Sequence, residues 1–431
     1  MGLFKQAIFG IFSVLTYTYI RKCTTSDLPV NFGGSWEPEF QDVADVFRKN
    51  VESGKEKGGA FAVNYKGRPV IDVWGGYADA ESYRPWTENT TTVAFSCTKG
   101  VAAILIVKMM ELGIISPKSV VKDYWPEFAV NGKDNITVEM LMSHQAGLVY
   151  LDTPLSLREY IDDRAKWLRT LADQSPAWPP GSQFGYHSLT FGMYVDELIQ
   201  RADPRHRDTA TIFQDLIGRP FGIDFGMNTP QCEFGRSARL VTKSKLQLLI
   251  DSLSFPRYLV PMFQIITQPN TLMAKSIVPI IEYAQDTKTL NNPTVREVTI
   301  SSASGTGTAR GLARLYGIIA NGGSVGGDSL LSRDSIKNLS TPIIFGKDTV
   351  FITGEETSFG PGTFYRKNPK GQDAVGHTGH GGQVAIGDEA NALGIAYLTN
   401  HLSINGIGDD PRYVDLEKAL YRVIDRLQTR T

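Results

Sequence analysis

Apolar positions in this chain change period several times, and each change predicts an element. Between residues 38 and 52, Phe40, Val43, Val46, Phe47 and Val51 recur at helical spacing, with acids early and Arg48-Lys49 late. That predicts an amphipathic helix aligned with its dipole. Residues 59–65 (GAFAVNY) and 69–75 (PVIDVWG) read as strands turned through Lys66-Gly67-Arg68, a β-hairpin. From Thr98 to Leu112 the pattern is helical again, but the first two turns are apolar on every side. Such a helix belongs inside the core, and Gly113 marks its end. Residues 136–147 (ITVEMLMSHQAG) predict another helix, capped by Thr137 and closed by Gly147. A helix from Leu189 to Ile199 and an amphipathic one over 312–320 (LARLYGIIA) follow. Residues 384–386 and 393–398 pair as strands, and Asp410-Pro411 opens a last helix with Tyr413, Leu416, Leu420, Val423 and Leu427 on its apolar face.

Strands at both ends around a helical middle predict an α/β (α+β) fold: one antiparallel sheet built from the two chain ends and flanked by helices. The domain is read as residues 38–428, with a helical middle part at about 101–300. Residues 254–300 are apolar, broken by proline and without clean period, and read as an insertion covering a cleft. Residues 7–20 (AIFGIFSVLTYTYI) carry no charge and lie between Lys5 and Arg21-Lys22, so residues 1–22 read as a hydrophobic anchor or signal segment. No small-x-small cleavage site precedes Cys23, which favours an uncleaved, single-pass membrane anchor. Secreted or lumenal and mitochondrial destinations are the alternatives. Residues 23–37 read as a tether.

Composition narrows the function. At 431 residues, 42% hydrophobic and 21% charged, the chain can bury a full core. Its 44 basic and 45 acidic residues leave no surplus for a nucleic-acid surface. Cys23, Cys97 and Cys232 form neither a disulfide framework nor a metal-site spacing.

Two serines compete for chemistry. Gly322-Gly-Ser324-Val-Gly326 fits a nucleophile-elbow pattern, but a helix precedes it where that motif wants a strand, so a helix C-cap loop explains its glycines. Ser96, in Phe95-Ser96-Cys97-Thr98-Lys99-Gly100, stands at the head of the buried helix. Lys99 lies three residues on, on the same face, and a helix start offers free N–H groups to a developing oxyanion. The plainer reading makes Ser96 an N-cap and Lys99 a solvated residue, so the pair needs partners.

Tyr186, after the rigid Trp178-Pro179-Pro180-Gly181 turn and followed by His187-Ser188, is one candidate. A buried tyrosinate beside Lys⁺ can stay ionised because each favours the other's charge. The plainer reading is an interfacial tyrosine. His377-Thr378-Gly379-His380 reads as a strand edge where glycine lets a substrate approach backbone. Zinc is not expected there: the two histidines face opposite ways on a strand and no carboxylate stands near. His144 is read as bonding a terminal carbonyl or packing in the core.

GRPVIDVWGGYAD, FSCTKG, ITVEMLMSHQAGL, WPPGSQFGYHSLTFG, GTARGLARLYGIIANGG and GHTGHGG, in that order, resemble the serine beta-lactamase, penicillin-binding protein and family VIII esterase superfamily, over roughly residues 38–428. The resemblance implies a beta-lactamase/transpeptidase-like fold and an acyl-enzyme serine hydrolase. Ser96 would be the nucleophile, Lys99 its base partner and Tyr186 the general base and then acid. The Ser96 and His380 N–H groups would form the oxyanion hole. His377, Thr378 and Gly379 would line the substrate edge, with Ser188 supporting. No cofactor or metal is implied. Antibiotic-binding members carry Lys-Thr-Gly where this chain has His377-Thr378-Gly379, and Asn where it has Ser188. A neutral histidine holds a carboxylate less strongly, which points to an ester, amide or short peptide rather than penicillin, and to the animal beta-lactamase-domain branch. The opposing reading is a membrane-tethered scaffold or filament-forming protein retaining the fold, a possible homo-oligomer.

Overall fold

A computed structural model describes residues 28–243, 245–285, 287–351 and 356–429. Among the described residues the first element is an edge strand, β1 (Phe32–Trp36), then come α1 (Gln41–Glu52) and the hairpin β2 (Gly58–Tyr65) and β3 (Arg68–Asp79). The buried helix is α2 (Cys97–Glu111). In the helical middle, α3 (Val138–Met142) and α4 (Thr190–Ala202) bear on the site. After α5 (Ala309–Ala320) come β4 (Ile344–Lys347), β5 (Glu356–Phe359), β6 (Phe364–Lys367), β7 (Asp373–Gly379), β8 (Gln383–Asp388) and β9 (Leu393–Thr399). Helix α6 (Pro411–Gln428) closes the chain.

The sheet runs β1-β3-β2-β9-β8-β7-β6-β5-β4, antiparallel throughout, so the pairing of β2 with β9 joins the two chain ends inside it. Strand alternation sorts its faces. Phe61, Val63, Ile71 and Val73 pack with Phe47 of α1 and with Leu416, Leu420 and Val423 of α6. Ala60 and Ala62 point the other way, into the core shared with α2 and α5, where small side chains let helices approach. Helix α2 is buried from Cys97 through Val107, as expected of a helix apolar all round.

Three expectations change. Residues 32–36, assigned to a tether, form β1. The Asn31 side chain pins its start by donating to the carbonyls of Gly76 and Trp86, and Phe32 packs on Phe47. The helix expected over 136–147 ends at Met142. Thr137 caps it as expected, but the chain then turns through His144 (φ +62°), whose ring packs against Tyr186, Phe191 and Phe359. The Gly-x-Ser-x-Gly stretch is an exposed two-strand turn, Ser324 opposite Ser329, so only Gly322 and Gly323 serve the end of α5.

The apolar stretch at 254–300 is a string of short helices, among them Leu259–Thr267, Leu272–Ser276 and Pro293–Arg296. Its Tyr258 hydroxyl donates to Asp409 and accepts from the Gly406 N–H, while the Gly406 carbonyl accepts from Thr378 of β7. The segment therefore reaches the loop that flanks β7. The anchor read at 1–22 lies outside the described residues. Among those described, no helix is long and apolar enough to cross a membrane.

Candidate active site

The backbone turns sharply into Ser96. Phe95 sits at φ +46°, a conformation costly for a residue with a side chain and characteristic of functional turns. Ser96 makes no side-chain cap bond to α2, which removes the plain N-cap reading. Its Oγ lies 3.1 Å from Lys99 Nζ and 3.0 Å from the Tyr186 hydroxyl. The three groups picked from sequence thus meet at one oxygen.

Lys99 is wholly buried, and its amine also donates to the carbonyls of Ser188 (2.7 Å) and Ser302 (2.9 Å). Ser188 meets Lys99 through its backbone carbonyl, not its side chain. Among the described residues no carboxylate bonds Lys99, and burial pushes the amine well below its ordinary value of 10.5, with the Cys97 thiol acting the other way. Burial likewise pushes Tyr186 up, with its hydrogen bond to Ser96 acting the other way. Both shifts favour neutral groups, so the tyrosinate–lysinium pair expected from the residue types is opposed by the dry surroundings.

Tyr186 is held from two sides. Its N–H donates to the Asp348 carboxylate (3.0 Å), which also accepts from the N–H groups of Val350 (2.7 Å) and Phe351 (2.9 Å). Its ring lies between Phe351 and Phe359, centroids 5.5 and 5.9 Å away. Burial lowers His187 to about 4 even though its Nδ1 shares a 2.7 Å bond with the Gly185 carbonyl, and its Nε2 accepts from the Leu148 N–H. The His187 N–H donates to Nδ1 of His144, which makes His144 a packing residue that accepts a backbone bond, not a terminal-carbonyl donor.

Strand β7 runs beside the serine turn. Cys97 Sγ donates to the His377 carbonyl (3.2 Å), and a Cβ at Gly379 would fall 2.6 Å from the Ala94 carbonyl, so only glycine permits this approach. His377 is buried with Nδ1 on the Thr378 carbonyl, and burial, the largest cause, lowers it to about 3 against that bond. Thr378 is occupied with Gly406, and His380, just past the strand, is exposed with its ring edge-on to Phe95. Among the described residues, the N–H groups of Ser96 and His380 have no acceptor. The turn after His380 is fixed because the Gly381 carbonyl accepts from Ser403 N–H and from Arg412. No group of three His, Cys, Asp or Glu side chains able to hold a metal occurs among the described residues.

Sequence reasoning missed Asp348 and Ser302, which hold Tyr186 and Lys99. Neither lies in a motif, and Ser302 acts through its carbonyl, for which residue type carries no signal.

The beta-lactamase family pattern matches residues 43–420. The chain belongs to the beta-lactamase family. It is 28% identical over 386 residues to the Esterase/beta-lactamase LipL of Mycobacterium tuberculosis, covering 86% of this chain and 83% of that protein. A family VIII carboxylesterase crystal structure superposes with a TM-score of 0.78 at 31% identity, over 91% of this chain and 99% of that one. A penicillin-binding protein homolog from Caulobacter crescentus superposes with a TM-score of 0.75 at 33% identity, over 91% and 100%. The fold and superfamily read from the motifs are those of these proteins, and the enzyme class, a serine hydrolase of beta-lactamase type, goes with the family.

Proposed function

We propose that this beta-lactamase-family protein hydrolyses carboxylic esters through an acyl-enzyme on Ser96. The observation that carries the reading is the convergence of Lys99 Nζ and the Tyr186 hydroxyl on Ser96 Oγ. A neutral amine has two hydrogens and one lone pair. The carbonyls of Ser188 and Ser302 can only accept, so they take both hydrogens and leave the lone pair facing Ser96. Lys99 then removes the Ser96 proton as Oγ bonds to the ester carbonyl carbon. The N–H groups of Ser96 and His380 receive the oxyanion. As the carbon–oxygen bond to the leaving group breaks, Tyr186 gives that oxygen its proton and is reprotonated from Lys99. Water repeats the sequence on the acyl-enzyme, releasing the acid and restoring Ser96.

Neutral His377 supplies no positive charge to a substrate carboxylate, which supports an uncharged ester, with amides and short peptides as slower substrates. The 254–300 segment shapes the acyl side of the cleft through Tyr258 and the Gly406 loop. A fluorophosphonate probe tests the reading. Wild-type and Ser324→Ala proteins label, and Ser96→Ala does not; equal or absent labelling of wild type and Ser96→Ala overturns it. Residues 7–20 tether the enzyme to a membrane in this reading, and carbonate extraction of cells leaves it in the pellet.

A scaffold reading draws on Phe263, 62% exposed on the apolar segment, and Leu253 just before it, 65% exposed. Sedimentation showing concentration-dependent polymers of an unlabelled protein would favour it.

A further inference from the structure

Lys99 relies on two carbonyls from distant parts of the chain. Ser188 belongs to the tyrosine motif, but Ser302 lies in the stretch 299–305, which no motif explains. That stretch is bound on several sides. Ser302 Oγ donates to the Leu189 carbonyl (2.7 Å), Ser304 Oγ to the Met227 carbonyl (2.8 Å), and the Gly305 N–H to Thr98 Oγ1 (3.1 Å). The charged member is Asp196 on α4, 7% exposed, which accepts the Ser301 N–H at 2.8 Å and also the Ser301 hydroxyl. One turn earlier, α4 comes so close that a Cβ on Gly192 would lie 2.2 Å from Ser302 N.

Burying a carboxylate is unfavourable unless bonds compensate. Here burial raises Asp196 to about 7, while the Ser301 bonds and the Arg164 charge act the other way. Arg164 and Tyr160 face it from the neighbouring 157–173 helices, and Arg164 is itself bonded to Glu197.

We infer that Asp196 is a positioning residue for the reaction: it holds Ser301 so that the Ser302 carbonyl stays on Lys99 Nζ. This rests on the Ser96–Lys99 reading above. Without the clamp the carbonyl shifts, water reaches the amine, and the proton affinity of Lys99 returns toward the ordinary lysine value. Because the base must be unprotonated, the acid limb of the pH–rate profile then moves to higher pH.

The test measures kcat and KM for p-nitrophenyl butyrate from pH 5 to 10, with fluorophosphonate titration of active sites and thermal melts. The proteins are wild type, Asp196→Ala, Asp196→Asn and Gly192→Ala. Per titrated site, Asp196→Ala loses about 10²-fold in kcat, since small misplacements near reacting groups cost that much. Its KM stays within about twofold by the same reasoning, and its acid limb moves up. Asp196→Asn keeps an acceptor for the Ser301 N–H and recovers part of kcat. Gly192→Ala pushes on the same backbone and moves the acid limb the same way. Should Asp196→Ala not fold, the other two variants carry the test. An unmoved acid limb with kcat per titrated site at wild type overturns the inference while leaving the hydrolase reading intact. A wild-type protein that is not labelled overturns that reading and this inference with it.

Discussion

Lys99→Met removes the amine while keeping an unbranched side chain of similar size in the same buried slot. Two effects of opposite sign follow. On the proposed mechanism Ser96 loses its base, and general-base removal lowers rate by about 10²–10⁴, or about 3–5 kcal/mol of barrier. Stability responds through the proton. In the folded protein burial holds Lys99 well below 10.5, so between that lowered value and 10.5 the unfolded chain binds a proton that the folded chain does not. Wild-type stability therefore rises with pH across this window, by up to about 1.4 kcal/mol per unit. Methionine has no such dependence. Against this, the Ser188 and Ser302 carbonyls lose their donor, at about 1–3 kcal/mol each where no other partner reaches them, an offset that does not vary with pH. The stability of Lys99→Met relative to wild type is thus greatest at the acid end and declines as pH rises. Urea melts of both proteins at pH 6, 7, 8 and 9, beside kcat/KM on a p-nitrophenyl ester, read both effects. Parallel stability–pH curves would refute the buried neutral amine, and activity within threefold of wild type would refute its role as base.

Other outcomes follow from the same geometry. Tyr186→Phe keeps the contacts with Phe351 and Phe359 but removes the hydroxyl on Ser96; kcat falls about 10²-fold with little change in KM or melting temperature. His377, lowered to about 3, stays neutral in the folded protein while the unfolded chain protonates near 6.5, so its contribution to stability is lost as pH falls from 6.5 toward 3. His377→Gln therefore shows a shallower fall in urea midpoint between pH 7 and 4.5, and an unchanged slope would contradict the assignment. A Cβ at Gly100 would lie 2.2 Å from the Tyr316 hydroxyl, which is buried and without a partner among the described residues. Gly100→Ala loses about 1–3 kcal/mol, and adding Tyr316→Phe restores most of it; calorimetry that finds no recovery would locate the clash elsewhere.

Much of the fold could be read from local pattern, and the errors have local causes. The α2 stretch is apolar on every side, and the 59–75 hairpin and the Asp410-Pro411 cap have strong signals of their own. Residues 32–36 look like a polar, glycine-rich tether because β1 gains its pairing from β3, some forty residues on. The 136–147 helix stops early because the packing of His144 against Tyr186 and Phe359 outweighs five further residues of helical propensity.

Sequence by itself determined the order of elements and singled out Ser96, Lys99 and Tyr186 as candidates, because spacing along a helix and turn chemistry are local properties, while the superfamily came from the resemblance of the ordered motifs. Tertiary structure decided the state of that trio. Lys99 is neutral-leaning because α2 is enclosed and because two carbonyls, rather than a carboxylate, meet its amine. Desolvation depends on everything packed around a group, and a backbone carbonyl has no identity in the sequence. For that reason Ser302, and Asp196 behind it, emerged only when the chain was folded.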